Sequence, residues 1–341
     1  MIPHTETHWQ TLPWQQQLRE AFRTPGELLA YLGLPPTEAA CTKAPQQQFP
    51  MLVPRDFARR MAHADPHDPL LLQVLPDNAE VSEAPGFVTD PLAELSQNPR
   101  SGVIHKYHNR ALLLATGSCA VNCRYCFRQH FDYQANQASS DNWQASLAYL
   151  KSAPQVEEVI LSGGDPLLLA DKQLQQLIEQ LATIPHLRRL RIHTRLPIVL
   201  PARTTAKLCE LLRQCPLPLV LVLHCNHPNE LDNAVTQGLS QLSATGVTLL
   251  NQSVLLRGIN DCAQVLNRLS NALFDANVMP YYLHLLDRVQ GAAHFEVAES
   301  RALEIYRQLL ALNSGYLIPR LVRENPAERF KLPVSCHNSG Q

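Results

Sequence analysis

From residue 111 onward the chain alternates short apolar runs with longer segments of helical period. The runs lie at 111–115, 157–161, 188–193, 218–224, 247–254 and 278–284 and are rich in Leu, Val and Ile. Their length, and an apolar character that barely alternates, predict parallel strands covered on both faces. The segments between them, 142–152, 171–183, 203–214, 230–244 and 261–275, carry helical spacing. In the second of these, Leu174, Leu177, Ile178 and Leu181 fall at i, i+3, i+4 and i+7 and form one apolar stripe. Six such units, followed by a helical segment at 298–313, predict an α/β fold, a partial (β/α)6 TIM-like barrel. Barrels of this kind keep their chemistry at the C-terminal ends of the strands.

Residues 1–100 read differently, with short helical patterns at Trp14–Phe22 and Pro25–Leu32 among turn-dense stretches such as Asp65-Pro-His-Asp-Pro69. They predict a mostly helical N-terminal satellite joined by irregular connections. The whole chain has 341 residues, 45% of them hydrophobic, and a net charge of −1. That balance argues against a bulk electrostatic footprint for nucleic acid or a membrane surface. The first residues lack the basic and apolar regions of a signal peptide, and no apolar run approaches the ~18–20 residues of a membrane span. A cytoplasmic enzyme is the expectation, and its nine cysteines are then thiols or metal ligands rather than disulfides.

Three of those cysteines stand together directly after the first apolar run. Cys119, Cys123 and Cys126 are spaced C-x3-C-x2-C, so one tight loop can present three thiolates to three corners of a [4Fe-4S] cube. The fourth iron is then free to bind a small molecule. A structural zinc would need a fourth ligand at knuckle spacing, which the sequence does not offer. One unit later, the strand end at Leu161-Ser-Gly163-Gly164-Asp165 pairs backbone freedom with a carboxylate, which suits close approach to a ligand ammonium.

The cysteine run, with Tyr125 before the third thiol and Phe127-Arg128 after it, resembles the signature of the radical S-adenosylmethionine enzymes. The resemblance implies that the open iron chelates the methionine end of S-adenosylmethionine, which yields a 5′-deoxyadenosyl radical on reduction. Gly163, Gly164 and Asp165 resemble the motif holding the methionine amine. More closely, the chain is similar to lysine 2,3-aminomutases, over most of its length. The segments that carry this are His105–Arg110, Cys119–Arg128, Leu161–Leu167, His224–Glu230, Asn251–Gly258 and Pro280–Asp287. The ending Tyr316–Glu324 and Lys331-Leu-Pro333 looks most like the bacterial branch that supplies β-lysine for modifying elongation factor P.

The family resemblance implies pyridoxal 5′-phosphate bound as an imine to Lys331, although this chain has Asn325–Phe330 where the usual relatives carry several glycines. It implies Lys106, Tyr107 and Arg110 as the phosphate anchor and Arg128 as the partner of the substrate carboxylate. Asp287 and Glu324 would face the distal ammonium of L-lysine. His224 and Gln252 would line the S-adenosylmethionine side. Three parts follow: residues 1–100, a radical SAM core at 101–328, and a tail at 329–341 bearing the cofactor lysine.

The resemblance further implies an electron donor such as flavodoxin or ferredoxin, and a link to elongation factor P and its lysyl-ligase. The rivals are a glutamate 2,3-aminomutase, a producer of free β-lysine, and a non-catalytic iron–sulfur binding protein that regulates through protein contact. The chemistry explains the cofactors. Moving an amino group from Cα to Cβ requires removing an unactivated hydrogen, which a carbon radical can do and a side-chain base cannot.

Overall fold

The computed structural model describes residues 11–36, 49–99, 102–133 and 143–335. Cys41 and Cys336 lie outside the described residues, as does the join at 100–101.

Among the described residues, the N-terminal region holds three short helices, α1 (Trp14–Arg19), α2 (Pro25–Tyr31) and α3 (Arg55–Ala58). Helix α2 begins at a capping box in which Thr24 and Glu27 exchange side-chain and backbone contacts. Most of the remaining described N-terminal residues are turns and 3₁₀ pieces, fewer helical residues than the sequence suggests. The buried residues Leu28, Val53, Phe57, Leu70 and Val74 belong to the same hydrophobic core as the barrel strands. The region is therefore packed onto the barrel as part of its wall.

Next come β1 (Val103–Tyr107), β2 (Arg110–Thr116), helix α4 (Trp143–Lys151), β3 (Glu158–Gly163) and α5 (Asp171–Ala182). They are followed by β4 (Arg189–Thr194), the short α6 (Leu196–Val199), α7 (Ala206–Arg213), β5 (Leu219–His224) and α8 (Asn233–Ser243). The chain ends with β6 (Thr248–Val254), α9 (Ala263–Asp275), β7 (Met279–His284), α10 (Glu299–Leu312), β8 (Arg320–Arg323) and β9 (Leu332–Pro333). One nine-stranded sheet runs in the order β1 to β9. Strands β2 to β8 are parallel, and the edge strands β1 and β9 pair antiparallel.

The fold is thus the expected α/β partial barrel, with six β/α units and an additional strand, β8. In α5 the predicted stripe Leu174, Leu177, Ile178 and Leu181 is the buried face. Strand β3 is buried from Glu158 to Ser162, as a doubly covered strand should be. Strands β4 and β6 differ. Their burial alternates residue by residue, because every second side chain points into the barrel lumen rather than into packed core. Among the described residues, no helix is long and apolar enough to cross a membrane.

Candidate functional site

The lumen of the barrel encloses a cavity of about 340 Å³ lined by Cys119, Cys123, Cys126, Arg128, His224, Gln252, Asp287, Glu324 and Lys331, together with Lys106, Tyr107 and Arg110. Gly164 and Asp165 also line it. All the sequence candidates except Gly163, spread over more than two hundred residues, therefore converge on one space.

The cysteine loop leaves the end of β2 and is held mostly by backbone and side-chain bonds that do not involve sulfur. Asn122 N donates to Leu52 O at 3.1 Å and Arg124 N to Gln73 O at 2.9 Å. The Arg124 side chain, fully buried, pairs with Glu80 and donates to Phe49 O at 2.6 Å. The N-terminal region thus clamps the loop from outside. Burial pushes the Cys126 thiol up to about 12 and the Cys119 thiol upward as well, with the neighbouring cysteines adding to both shifts. Such thiols ionise readily only when a metal takes the charge. Among the described residues, no three His, Cys, Asp or Glu side chains converge on a single metal ion. Three thiols on one loop, all lining the same lumen, are the donor set that a four-iron cluster with one open iron would take.

The glycine pair also answers a packing constraint. A Cβ on Gly163, at φ +108, would lie 2.4 Å from Thr116 O, and one on Gly164 would lie 2.0 Å from Ser118 O. The crowding atoms belong to the backbone that leads into Cys119, so these glycines let the β3 end pass against the cysteine loop. Asp165 is likewise used internally. Its carboxylate accepts from Thr194 Oγ1 at 2.7 Å and from the backbone N–H groups of Arg195, Leu196 and Leu167 at 2.7, 2.9 and 3.1 Å. Those four donors fix the carboxylate where it lines the lumen. Burial alone would raise this carboxyl, and it does so despite them.

At the opposite wall, Lys106 and Tyr107 sit within β1. Arg110 opens β2, with its guanidinium 4.0 Å from the centre of the Tyr107 ring. Glu324, just past β8, accepts from Lys106 Nζ at 3.3 Å, from Tyr107 Oη at 2.8 Å and from Lys331 Nζ. Burial opposes its charge, but Lys331 and Lys106 hold its carboxyl below the usual range. Strands β1 and β9 are the two edges of the sheet, and this ionic cluster spans the gap between them. The anchor residues and the second acid, separate groups in the sequence reading, are one hydrogen-bonded set.

Asp287 faces the same space without such compensation. Burial pushes its carboxyl up to about 7, with Lys331 opposing the rise and Glu324 adding to it. Arg128 is also partnered. Its Nε and Nη2 donate to the two oxygens of Glu94 at 2.7 Å each, while Nη1 reaches Ser162 Oγ at 3.1 Å. His224 Nε2 lies 2.9 Å from Tyr125 Oη, and burial beside Arg195 pulls its imidazole down to about 3. It is neutral and can accept a hydrogen bond.

Several lumen residues escaped the sequence reading: Glu94, Arg191, His193, Arg195, Tyr282 and His284. Arg191 and His193 alternate along β4, and Tyr282 and His284 along β7. A polar residue at every second position of a barrel strand was the signal that could have found them. Both histidines are held well below their ordinary value by burial, and the Nε2 atoms of both have no hydrogen-bond partner among the described residues.

The sequence profile of the radical SAM superfamily matches residues 113–262. A protein named L-lysine 2,3-aminomutase from Escherichia coli (strain K12) is 52% identical over 322 residues, spanning 94% of this chain and 94% of that protein. One of the same name from Haemophilus influenzae is 48% identical over 93% of this chain and 94% of its own length. A third, from Clostridium subterminale, is 37% identical and matches 94% of this chain but 77% of its own length.

Proposed function

Because the chain belongs to the L-lysine 2,3-aminomutase family of radical SAM proteins, we propose that it converts L-lysine to (R)-β-lysine with the help of pyridoxal phosphate, for the modification of elongation factor P. When bound, the cluster with S-adenosylmethionine supplies a carbon radical, and pyridoxal phosphate supplies an aldehyde that carries the migrating nitrogen. Cys119, Cys123 and Cys126 hold the cluster, and Lys106, Tyr107 and Arg110 receive the phosphate. Lys331 is the amine for the aldehyde, and His224 and Gln252 border S-adenosylmethionine. The elongation factor destination and the R configuration rest on the resemblance of the segments quoted above.

The observation that carries this reading is that one lumen brings together the three-thiol loop, Lys331 and two carboxylates. Arg128 lines the lumen with Nε and Nη2 on Glu94 and Nη1 on Ser162 Oγ, and the substrate carboxylate would compete for these donors to take its place on the guanidinium. Asp287 and Glu324 face the distal ammonium. A substrate ending in a carboxylate would meet like charge there in a poorly hydrated pocket, which disfavours glutamate. The direct test is anaerobic reconstitution with lysine and S-adenosylmethionine, followed by chiral analysis. No β-lysine from a preparation with full iron content would sink the proposal.

Substrate choice should fail when either acid is neutralised. Truncating one partner of a desolvated charge pair costs about 2–5 kcal/mol, or roughly one and a half to three and a half decades in kcat/KM. Asp287→Asn should show this loss for lysine with pyridoxal phosphate binding unchanged. Glu324→Gln should disturb cofactor binding too, because Glu324 also ties Lys106, Tyr107 and Lys331. Near-normal kcat/KM in Asp287→Asn would remove Asp287 from substrate recognition.

The carboxyl of Asp287, pushed up to about 7, adds a pH signature. Below that pH it is neutral and offers the distal ammonium no charge, so lysine binding must expel a proton. Lysine KM should therefore rise as pH falls through 7, approaching about tenfold per unit for one linked proton. Above 7 the carboxylate is already formed and KM should level off. KM measured from pH 5.5 to 8.5 should show this limb in the parent enzyme and lose it in Asp287→Asn.

A further inference from the structure

Arg195 directly follows β4, and its backbone is pinned by the Asp165 carboxylate, which takes the N–H groups of Arg195 and Leu196. That anchor aims a buried guanidinium at the cysteine loop. Nη1 donates to Cys123 Sγ at 2.7 Å and to Tyr125 Oη at 2.8 Å. Nη2 donates to Gln73 Oε1 at 2.6 Å and to Glu230 Oε2 at 3.0 Å. Glu230 is fully buried and is itself held by the N–H groups of Asn226 and His227 at 2.9 and 3.1 Å. The result is an oriented pair, with the cation against the sulfur and the anion behind it. Nothing in the proposed reaction requires either residue to touch substrate.

We propose that Arg195 is a positioning residue for the iron–sulfur cluster, holding the Cys123 thiolate and, with Glu230 behind it, setting how readily the cluster accepts an electron. This rests on the reading of Cys119, Cys123 and Cys126 as cluster ligands. Hydrogen bonds to ligand sulfur and nearby charge are among the features that set cluster potentials. One-electron reduction by a low-potential donor adds one negative charge to a buried, already anionic centre. A donor and positive end facing the thiolate stabilise the reduced state more than the oxidised one, so they raise the potential. Glu230 limits that effect by partly neutralising the guanidinium.

The two residues therefore have opposite expected effects. Iron and sulfide content, and the midpoint potential read from the electron paramagnetic resonance of the reduced cluster, should be measured without S-adenosylmethionine in the parent protein, Arg195→Gln, Arg195→Lys and Glu230→Gln. At a poise equal to the parent midpoint, Arg195→Gln should lower the reduced-to-oxidised ratio about tenfold, a shift of about 59 mV for one electron. Glu230→Gln should raise that ratio. Arg195→Lys keeps the charge without the fork and should fall between the parent and Arg195→Gln.

If Arg195→Gln fails to retain the cluster, a rise in Glu230→Gln with a fall in Arg195→Lys still supports the proposal. Midpoints unchanged in cluster-loaded variants, shifts of the same sign in Arg195→Gln and Glu230→Gln, or loss of iron in all three variants would overturn it. A parent protein that holds no four-iron cluster after reconstitution would instead remove the ligand assignment beneath it.

Discussion

Replacing Cys123 with Ala is expected to abolish cluster binding and turnover together while leaving the fold in place. Three thiolates are the minimum that hold a cubane and leave one iron open, so two cannot maintain the site that binds S-adenosylmethionine. Without the reduced cluster there is no radical, and the step that removes an unactivated hydrogen has no substitute among the side chains. The fold should survive because the loop is fixed by other bonds. Asn122 and Arg124 donate to backbone carbonyls of the N-terminal region, Arg124 pairs with buried Glu80, and Asp165 N donates to Ser118 O at 2.8 Å. Losing Cys123 Sγ removes one acceptor from Arg195, whose other three contacts persist. Iron content, circular dichroism and β-lysine formation measured on one preparation check the expectation. Full iron and activity in Cys123→Ala would end the cluster assignment.

The parts of this molecule legible in its sequence are those written in local pattern. The strands β2 to β7 were visible because parallel strands leave compact apolar runs, and α5 because its stripe repeats at helical spacing. The cysteine loop was visible because its three ligands lie within one turn of chain. Strand β8 was not, since Arg320-Leu-Val-Arg323 has only two buried residues and exists through pairing with β7. The same holds for β9, two residues long and defined by its bonds to β8.

What the sequence hides is which distant residue answers each charged one. Glu94 reads as one acid in a turn-rich stretch, yet it occupies both oxygens on Arg128 across the barrel mouth. Gln73 and Glu80, from the region expected to be a satellite, hold the cysteine loop in place. The sequence presents Asp165 as a ligand group, because a carboxylate beside two glycines suits an ammonium, and shows nothing of its protein partners. In the structure the glycines fit a backbone crossing and the acid caps the start of α6. In each case the residue type was informative, and its partner was set by tertiary packing that no local pattern encodes.

Replacing Lys331 with Ala is expected to remove the covalent attachment of pyridoxal phosphate while a weaker, noncovalent affinity remains. Lys331 lines the lumen just before β9, at the gap between the sheet edges, within reach of Glu324. In the variant Glu324 keeps Lys106 and Tyr107 as partners, so no buried charge is stranded and the local fold should hold. The phosphate anchor of Lys106, Tyr107 and Arg110 is untouched. Turnover should fall by roughly 10²–10⁴-fold, the range lost when a positioned amine no longer handles protons and carbonyl exchange. Borohydride reduction of the cofactor-loaded parent, followed by peptide mapping, should place the label on Lys331. The alternatives Lys172 and Lys207 are exposed on α5 and α7, outside the barrel. A label on either would overturn Lys331 as the amine that holds the cofactor. A label on Lys331, lost in Lys331→Ala along with turnover while the iron content stays intact, would tie the cofactor to the same lumen as the cluster.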